Sequence, residues 1–288
     1  MGPTASGKSA VAEALAERLG CRIVNADAFQ VYRGFDIGTA KPKDRRNYDL
    51  IDILEPTDSY TSGRFVKDAE PLLQGYLAAG GDAVVCGGTG LYVRALWEGY
   101  ADMPKADLAL REQLKQDLDT FGVDEFLKRE GISPDDLGYD VRSNPQRLLR
   151  FLEKRRMPNE PRSRTAWLSG HPKIAIDMDR DQLVGRIEER IRRMVDDGWR
   201  DEVRELLERG VPLSAPAFRA IGYRQIVESL EGRISFDEVV HLTLIATRQY
   251  AKRQMTWLRR EPRLLWVDGH GDANAVADVI LNKIRGGS

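Results

Sequence analysis

The chain opens on Gly2-Pro3-Thr4-Ala5-Ser6-Gly7-Lys8-Ser9, which matches G-x-x-x-x-G-K-[ST] at every position. No other feature constrains the fold as strongly. The glycines let backbone N–H groups turn inward around phosphate oxygens, Lys8 supplies a point charge, and Ser9 supplies a hydroxyl for Mg²⁺. The helix that follows adds the positive end of its dipole. Such a loop sits at the C-terminal edge of a parallel sheet. The predicted class is therefore α/β, a P-loop NTPase-like parallel sheet flanked by helices. One piece of context is missing: a loop of this kind follows a strand, yet only Met1 precedes Gly2. Either the start lies upstream or the chain has been shortened, and a gap in the core is expected in both cases.

Hydrophobic periodicity extends the picture. Ser9 to Leu19 reads as a helix, with Val11, Leu15 and Leu19 on one face and Gly20 closing it. Arg22 to Ala26 is a strand ending at Asp27, and Leu50 to Leu54 is a second, stopped by Pro56. A helix begins at Ser62, and Ala83 to Cys86 is a buried strand running into Gly87-Gly88-Thr89-Gly90. Residues 111–170 are predicted to form a helical insert domain, broken at Gly122, Gly131 to Pro134 and Pro158 to Pro161. It interrupts a P-loop core assigned to residues 1–110 and 171–288, which carries the C-terminal helices. In that second part, Lys173 to Asp177 returns to strand and one amphipathic helix runs from Asp181 to Arg209. Ser235 and Glu238 form a capping box for a last long helix to about Arg260, before a final strand at Leu264 to Val267.

Composition excludes several classes. Among 288 residues, 42% are hydrophobic and 31% charged, which suits a globular protein and argues against disorder. No window approaches the roughly 18 apolar residues of a membrane span, and no secretory leader is present, so the cytoplasm is the expected compartment. Cys21 and Cys86 each stand alone in apolar runs and read as buried reduced thiols. His171, His241 and His270 share no metal-ligand spacing with each other or with the cysteines, so no zinc site is expected. The net charge of −1 speaks against a nucleic-acid binder only weakly, since local density governs phosphate binding.

Asp27 and Thr89 both fall just past strand ends, at the edge where the loop lies. The aspartate could bind metal, act as a general base, or simply cap a turn, and Thr89 could bond its own backbone. The loop alone does not separate phosphoryl transfer from other pyrophosphate chemistry, and Asp27 would equally serve a kinase as its Mg²⁺-associated carboxylate.

At Asn25-Ala26-Asp27-Ala28-Phe29-Gln30-Val31-Tyr32-Arg33-Gly34-Phe35-Asp36-Ile37-Gly38-Thr39-Ala40-Lys41-Pro42 the chain resembles the signature of the tRNA dimethylallyltransferase (isopentenyltransferase) family. So do Gly87 to Tyr92, Pro145-Gln146-Arg147, Arg219 to Arg224 and Lys252 to Arg259, in order. The resemblance implies that dimethylallyl pyrophosphate donates its allylic group to the exocyclic amine of the adenosine 3′ of the anticodon in tRNA. It implies Asp27 as base, Lys8 and Mg²⁺ at Ser9 on the leaving pyrophosphate, and Thr89 and Arg111 near the reacting centre. It also implies tRNA contacts from Asp27, Ala28, Phe29, Gln30, Gln146, Arg147, Arg150, Arg219, Gly222, Tyr223, Arg224, Lys252, Arg253, Gln254, Trp257 and Arg259. A monomer is expected. Ala28 departs from the family's usual Ser, which removes one hydroxyl but leaves the proposed base.

Charge distribution agrees with an RNA partner. Arg142, Arg147, Arg150, Lys154, Arg155, Arg156, Arg162 and Arg164 crowd one stretch, opposed only by Glu153 and Glu160. Arg248, Lys252 and Arg259 share a face of the last helix. Phe29, Tyr223 and Trp257 are candidates to stack with an extracted base. The competing readings are a small-molecule kinase, an enzyme prenylating free adenine nucleotides, and a non-catalytic RNA-binding switch.

Overall fold

The computed structural model describes residues 1–99, 101–102, 108–133, 136–137, 139–156, 162–163, 166 and 168–286. The breaks predicted at Pro134 and Pro158 to Pro161, together with Arg164, lie outside these residues. The chain divides into two compact units, one of residues 1–99 with 165–288 and one of residues 100–164. The sequence pattern places the insert at residues 111–170 instead.

The larger unit begins with the glycine-rich loop and α1 (Lys8–Leu19), which Gly20 ends in a left-handed conformation at φ 59°. Strands β1 (Arg22–Asn25), β2 (Tyr48–Asp49) and β3 (Ala83–Cys86) form a parallel sheet in the order β2-β1-β3. The second strand lies ahead of the run predicted at Leu50 to Leu54, of which only Leu54 forms a bridge, to Tyr32. Leu50 and Asp52 both take positive φ, 63° and 55°, which breaks the ladder after Asp49. Asp52 is drawn into that bend because it pairs with the buried ammonium of Lys41 at 2.5 Å. Helices α2 (Ser62–Ala78) and α3 (Gly90–Glu98) flank β3.

A second parallel pair joins β6 (Lys173–Asp177) to β7 (Leu264–Asp268), in register from Lys173↔Leu264 to Asp177↔Asp268. β4 (Ala101–Asp102) and β5 (Arg162–Ser163) belong to the smaller unit. Met1 lies along β6: its amino group donates to the Ile174 carbonyl at 2.5 Å, and its carbonyl accepts from Ile176 N–H at 2.9 Å. No ladder connects the two sheets among the described residues. Between them is a cavity of about 420 Å³ lined by Ala83 to Cys86 and by Lys173, Ile174 and Ile176.

The long amphipathic helix predicted from Asp181 to Arg209 is in fact two. Gly198, at φ 92°, separates α7 (Arg180–Asp196) from α8 (Trp199–Glu208), a turn only glycine makes without strain. This places the buried indole of Trp199 among Phe35, Phe218 and Tyr223. Helix α9 (Tyr223–Leu230) follows, and α10 (Phe236–Leu258) starts on the predicted Ser235–Glu238 capping box. Helix α11 (Ala273–Gly286) packs Val276 and Ile280 with Val11 and Leu15 of α1 and with Ile176 and Val267 of the sheet.

In the smaller unit, α4 (Leu108–Arg129) is kinked at Gly122, followed by α5 (Tyr139–Arg142) and α6 (Pro145–Arg156). Leu114, Leu127, Leu148 and Leu152 are fully buried together, each contributing roughly 1.5–3 kcal/mol by removal from water.

Candidate active site

The glycine-rich loop is built for inward-facing amides. Ala5 and Gly7 take positive φ, 63° and 85°, and Ser6 N–H donates to the Pro3 carbonyl at 3.3 Å. A side chain on Gly2 would meet Ser6 Oγ at 2.6 Å, so close packing demands glycine there. Lys8 Nζ reaches back toward the Pro3 carbonyl at 3.5 Å, and burial holds its ammonium below the ordinary lysine value. Ser9 is exposed at the start of α1.

Two side chains from distant helices complete the loop. Gln254 of α10 accepts the Thr4 N–H through Oε1 at 2.7 Å and donates through Nε2 to the Gly88 carbonyl at 3.0 Å. Arg190 of α7 donates to Thr4 Oγ1 at 3.0 Å, and burial pulls its guanidinium below its usual value. One turn earlier, Arg186 stands 3.3 Å from where a Cβ on Gly7 would lie. Sequence reasoning singles out neither arginine. The available signal was spacing: each immediately precedes a core residue, Ile187 or Ile191, so both flank the buried stripe on the same side of α7.

Asp27 leaves β1 half-buried, and its Oδ1 accepts Phe29 N–H at 2.8 Å and Gln30 N–H at 3.3 Å. The turn-cap role is thus real, but it occupies one oxygen and leaves Oδ2 for another partner. A small polar pocket of about 50 Å³ is lined by Lys8, Ser9, Asp27 and Gln30. A larger pocket of about 250 Å³ is lined by Phe29, Met194, Trp199 and Arg219 as well as Asp27. Thr4, Asp27, Arg190 and Tyr250 line both, so the carboxylate stands where cradle and larger pocket meet. Burial, then the charge of Asp27, push the Tyr250 phenol up to about 12, with hydrogen bonding to half-buried Thr89 opposing.

Several sequence-assigned RNA contacts have other placements. Gln254 is buried with both ends of its amide committed, so it positions the cradle. Tyr223 is fully buried, with its hydroxyl donating to Glu202 at 2.7 Å, and it cannot stack on a base from there. Glu202 also accepts from Asp36 and Ile37 N–H at 2.8 and 2.6 Å, fixing the turn beside the cradle, while burial raises its carboxyl. Gly222 takes φ 93°, and a Cβ there would strike the Trp199 ring at 2.0 Å, so its role is packing. Gln30 donates to the Thr39 and Ala40 carbonyls at 3.0 and 3.1 Å. Trp257 is half-buried with its ring where a Gly90 Cβ would be, at 2.4 Å.

Other assignments keep their exposure. Phe29 and Ala28 are half-buried beside Asp27, and Arg219, Arg224, Lys252, Arg253 and Arg259 are exposed. Arg248 is drawn to Glu188 at 2.5 Å. In the smaller unit Gln146 and Arg147 are exposed, and Arg111 donates to Gln146 at 2.8 Å. Arg111 is thereby grouped with Arg150 and Gln146. Arg142 and Arg156 pair with Asp124 and Glu130, so part of the basic stretch is neutralised within the unit.

Among the described residues no group of three or more His, Cys, Asp or Glu could cage a metal ion. A Mg²⁺ held by one or two protein oxygens and by substrate phosphates needs no such cage. The Ser9 hydroxyl, exposed at the start of α1, fits that requirement. Cys86 and Cys21 are buried free thiols, and burial pushes both above the ordinary thiol value.

Residues 30–261 match the family model described as IPP transferase, and residues 1–50 match one described as isopentenyl transferase. A tRNA dimethylallyltransferase of Geobacter metallireducens is 38% identical, over 97% of this chain and 94% of that protein. One of Halorhodospira halophila is 41% identical, over 90% of this chain and 88% of its own length. The solved structure of the full-length tRNA isopentenylpyrophosphate transferase from Bacillus halodurans is 32% identical, covers 99% of this chain and 94% of that one, and superposes with a TM-score of 0.74.

Proposed function

Because the chain belongs to the IPP transferase family, we propose that it moves a dimethylallyl group from dimethylallyl pyrophosphate to the exocyclic amine of the adenosine 3′ of the anticodon in tRNA. The observation that carries this reading is the position of Asp27 at the junction of phosphate cradle and larger pocket. A kinase places its acceptor beside the terminal phosphate. Here a roomier pocket with Phe29 and Met194 opens beyond the carboxylate and suits an allylic group and a base.

In this reading the loop amides, Lys8 and Arg190 bind the pyrophosphate. The C–O bond to its terminal oxygen breaks as the amine nitrogen bonds the allylic carbon. Asp27 takes the amine proton through the oxygen not used in its turn, and the growing charge on the pyrophosphate falls to Lys8, Arg190 and the loop amides. Mg²⁺, when bound at Ser9, would add charge neutralisation on the same phosphate oxygens. Exposed Arg219, Arg224, Lys252, Arg253 and Arg259 supply phosphate contacts in this unit. The enzyme is read as a cytoplasmic monomer. No described helix is long and apolar enough to cross a membrane.

The test is incubation with labelled dimethylallyl pyrophosphate and either unmodified tRNA or AMP, with ATP in a parallel reaction. Label is expected in tRNA alone. Label in AMP would favour the free-nucleotide prenyltransferase, and phosphate transfer from ATP without prenylation would favour a kinase.

A further inference from the structure

Glu153 of α6 is a carboxylate with 0% side-chain exposure, the kind of group that stays charged inside a protein only when paired. It has two cationic partners from two helices. Arg150, one turn earlier on α6, donates to Oε2 at 2.8 Å. Arg111 of α4 brings Nε to 3.4 Å from Oε1, an ion pair just outside hydrogen-bonding geometry. A second nitrogen of Arg111 donates to Gln146 at 2.8 Å. Gln146, Arg150 and Glu153 recur at spacings of four and three, so one face of α6 carries all three.

Both guanidiniums stay accessible, with side chains 36% and 32% exposed, so each has donors left after serving Glu153. Two arginines fixed side by side by one buried anion present a rigid fork, and forked N–H groups match the paired oxygens of a phosphate. An isolated exposed arginine would lose rotamer freedom on binding, whereas these two have lost much of it already.

We propose that Arg111 and Arg150 form a preorganised clamp for a phosphodiester of the RNA backbone, and that Glu153 is the positioning residue that sets it. This rests on the RNA substrate of the preceding reading. The competing account is an ion-pair network that only ties α4 to α6.

The two accounts differ in sign. Glu153→Gln removes a negative charge next to the cations, which by charge alone should tighten RNA binding. The clamp requires the opposite, because the fork loses its anchor. The experiment measures tRNA affinity over a salt series for the wild type, Glu153→Gln, the Arg111→Ala/Arg150→Ala pair, and the triple variant. Expected for Glu153→Gln is a Kd raised about tenfold, with the salt slope flatter by about one unit for each phosphate no longer neutralised. In the double-alanine background the same change should alter Kd less than about twofold, since the clamp is already gone. A Glu153→Gln protein that binds as tightly as wild type or tighter, or that is weakened as much in the double-alanine background, overturns the clamp. If Glu153→Gln unfolds on thermal melting, Arg150→Lys decides instead. It keeps the charge and the pairing but lacks the fork, and it should weaken binding severalfold, while an unchanged Kd rejects the proposal. Wild-type protein that binds no tRNA would reject the functional reading itself.

Discussion

Gln254 joins the two sides of the phosphate cradle, taking the Thr4 N–H at 2.7 Å and giving its own N–H to the Gly88 carbonyl at 3.0 Å. Gly88 permits this approach, because a Cβ there would lie 2.3 Å from the amide nitrogen. Loop shape is thus held by a helix whose sequence position lies some 250 residues away.

Gln254→Met should therefore strand two buried backbone groups. The expected loss is about 2–4 kcal/mol of stability, read as a lower melting temperature, together with a higher KM for the pyrophosphate donor. Loss of stability with an unchanged donor KM would mean that the loop keeps its shape without the glutamine.

Asp27→Asn keeps an oxygen for the Phe29 and Gln30 amides, so the turn should survive. Turnover should fall by about 10²–10⁴-fold, the range of a positioned general base, with little change in tRNA affinity. Equal losses in binding and turnover would make Asp27 a recognition residue.

Arg190→Ala should weaken donor binding and slow the chemical step while sparing tRNA affinity, since Arg190 meets the loop at Thr4. Single-turnover rates at saturating donor separate the two effects. A normal rate there would confine Arg190 to ground-state binding.

Donor affinity should depend on pH through Lys8. Burial lowers its ammonium below the ordinary lysine value in the free protein, so the charge is lost as pH rises through that lowered value. Pyrophosphate affinity should fall as pH rises through it, and bound pyrophosphate should move the inflection upward. Titration calorimetry of pyrophosphate against pH checks this, and an unchanged profile in Lys8→Arg would assign the inflection to another group.

Local sequence was enough for features that depend on neighbours along the chain. The glycine-rich motif, the Gly20 cap and the Ser235–Glu238 box each rest on contacts spanning a few residues, and their residue types are nearly obligatory. The Leu50 to Leu54 run misleads because burial and strand pairing both favour apolar residues. Tertiary partners, Lys41 and Arg45 on Asp52 and Asn25 on the Leu50 carbonyl, hold the chain in a bend there. Tyr223 and Gln254 read as RNA contacts because they sit in motifs shared with the family, and nothing local says which way a side chain points. Arg190, Glu202 and Glu153 became visible only when helices far apart in sequence came together. A charged residue on an amphipathic helix looks like a solvated face until tertiary packing decides what lies opposite it, and burial then makes pairing a requirement.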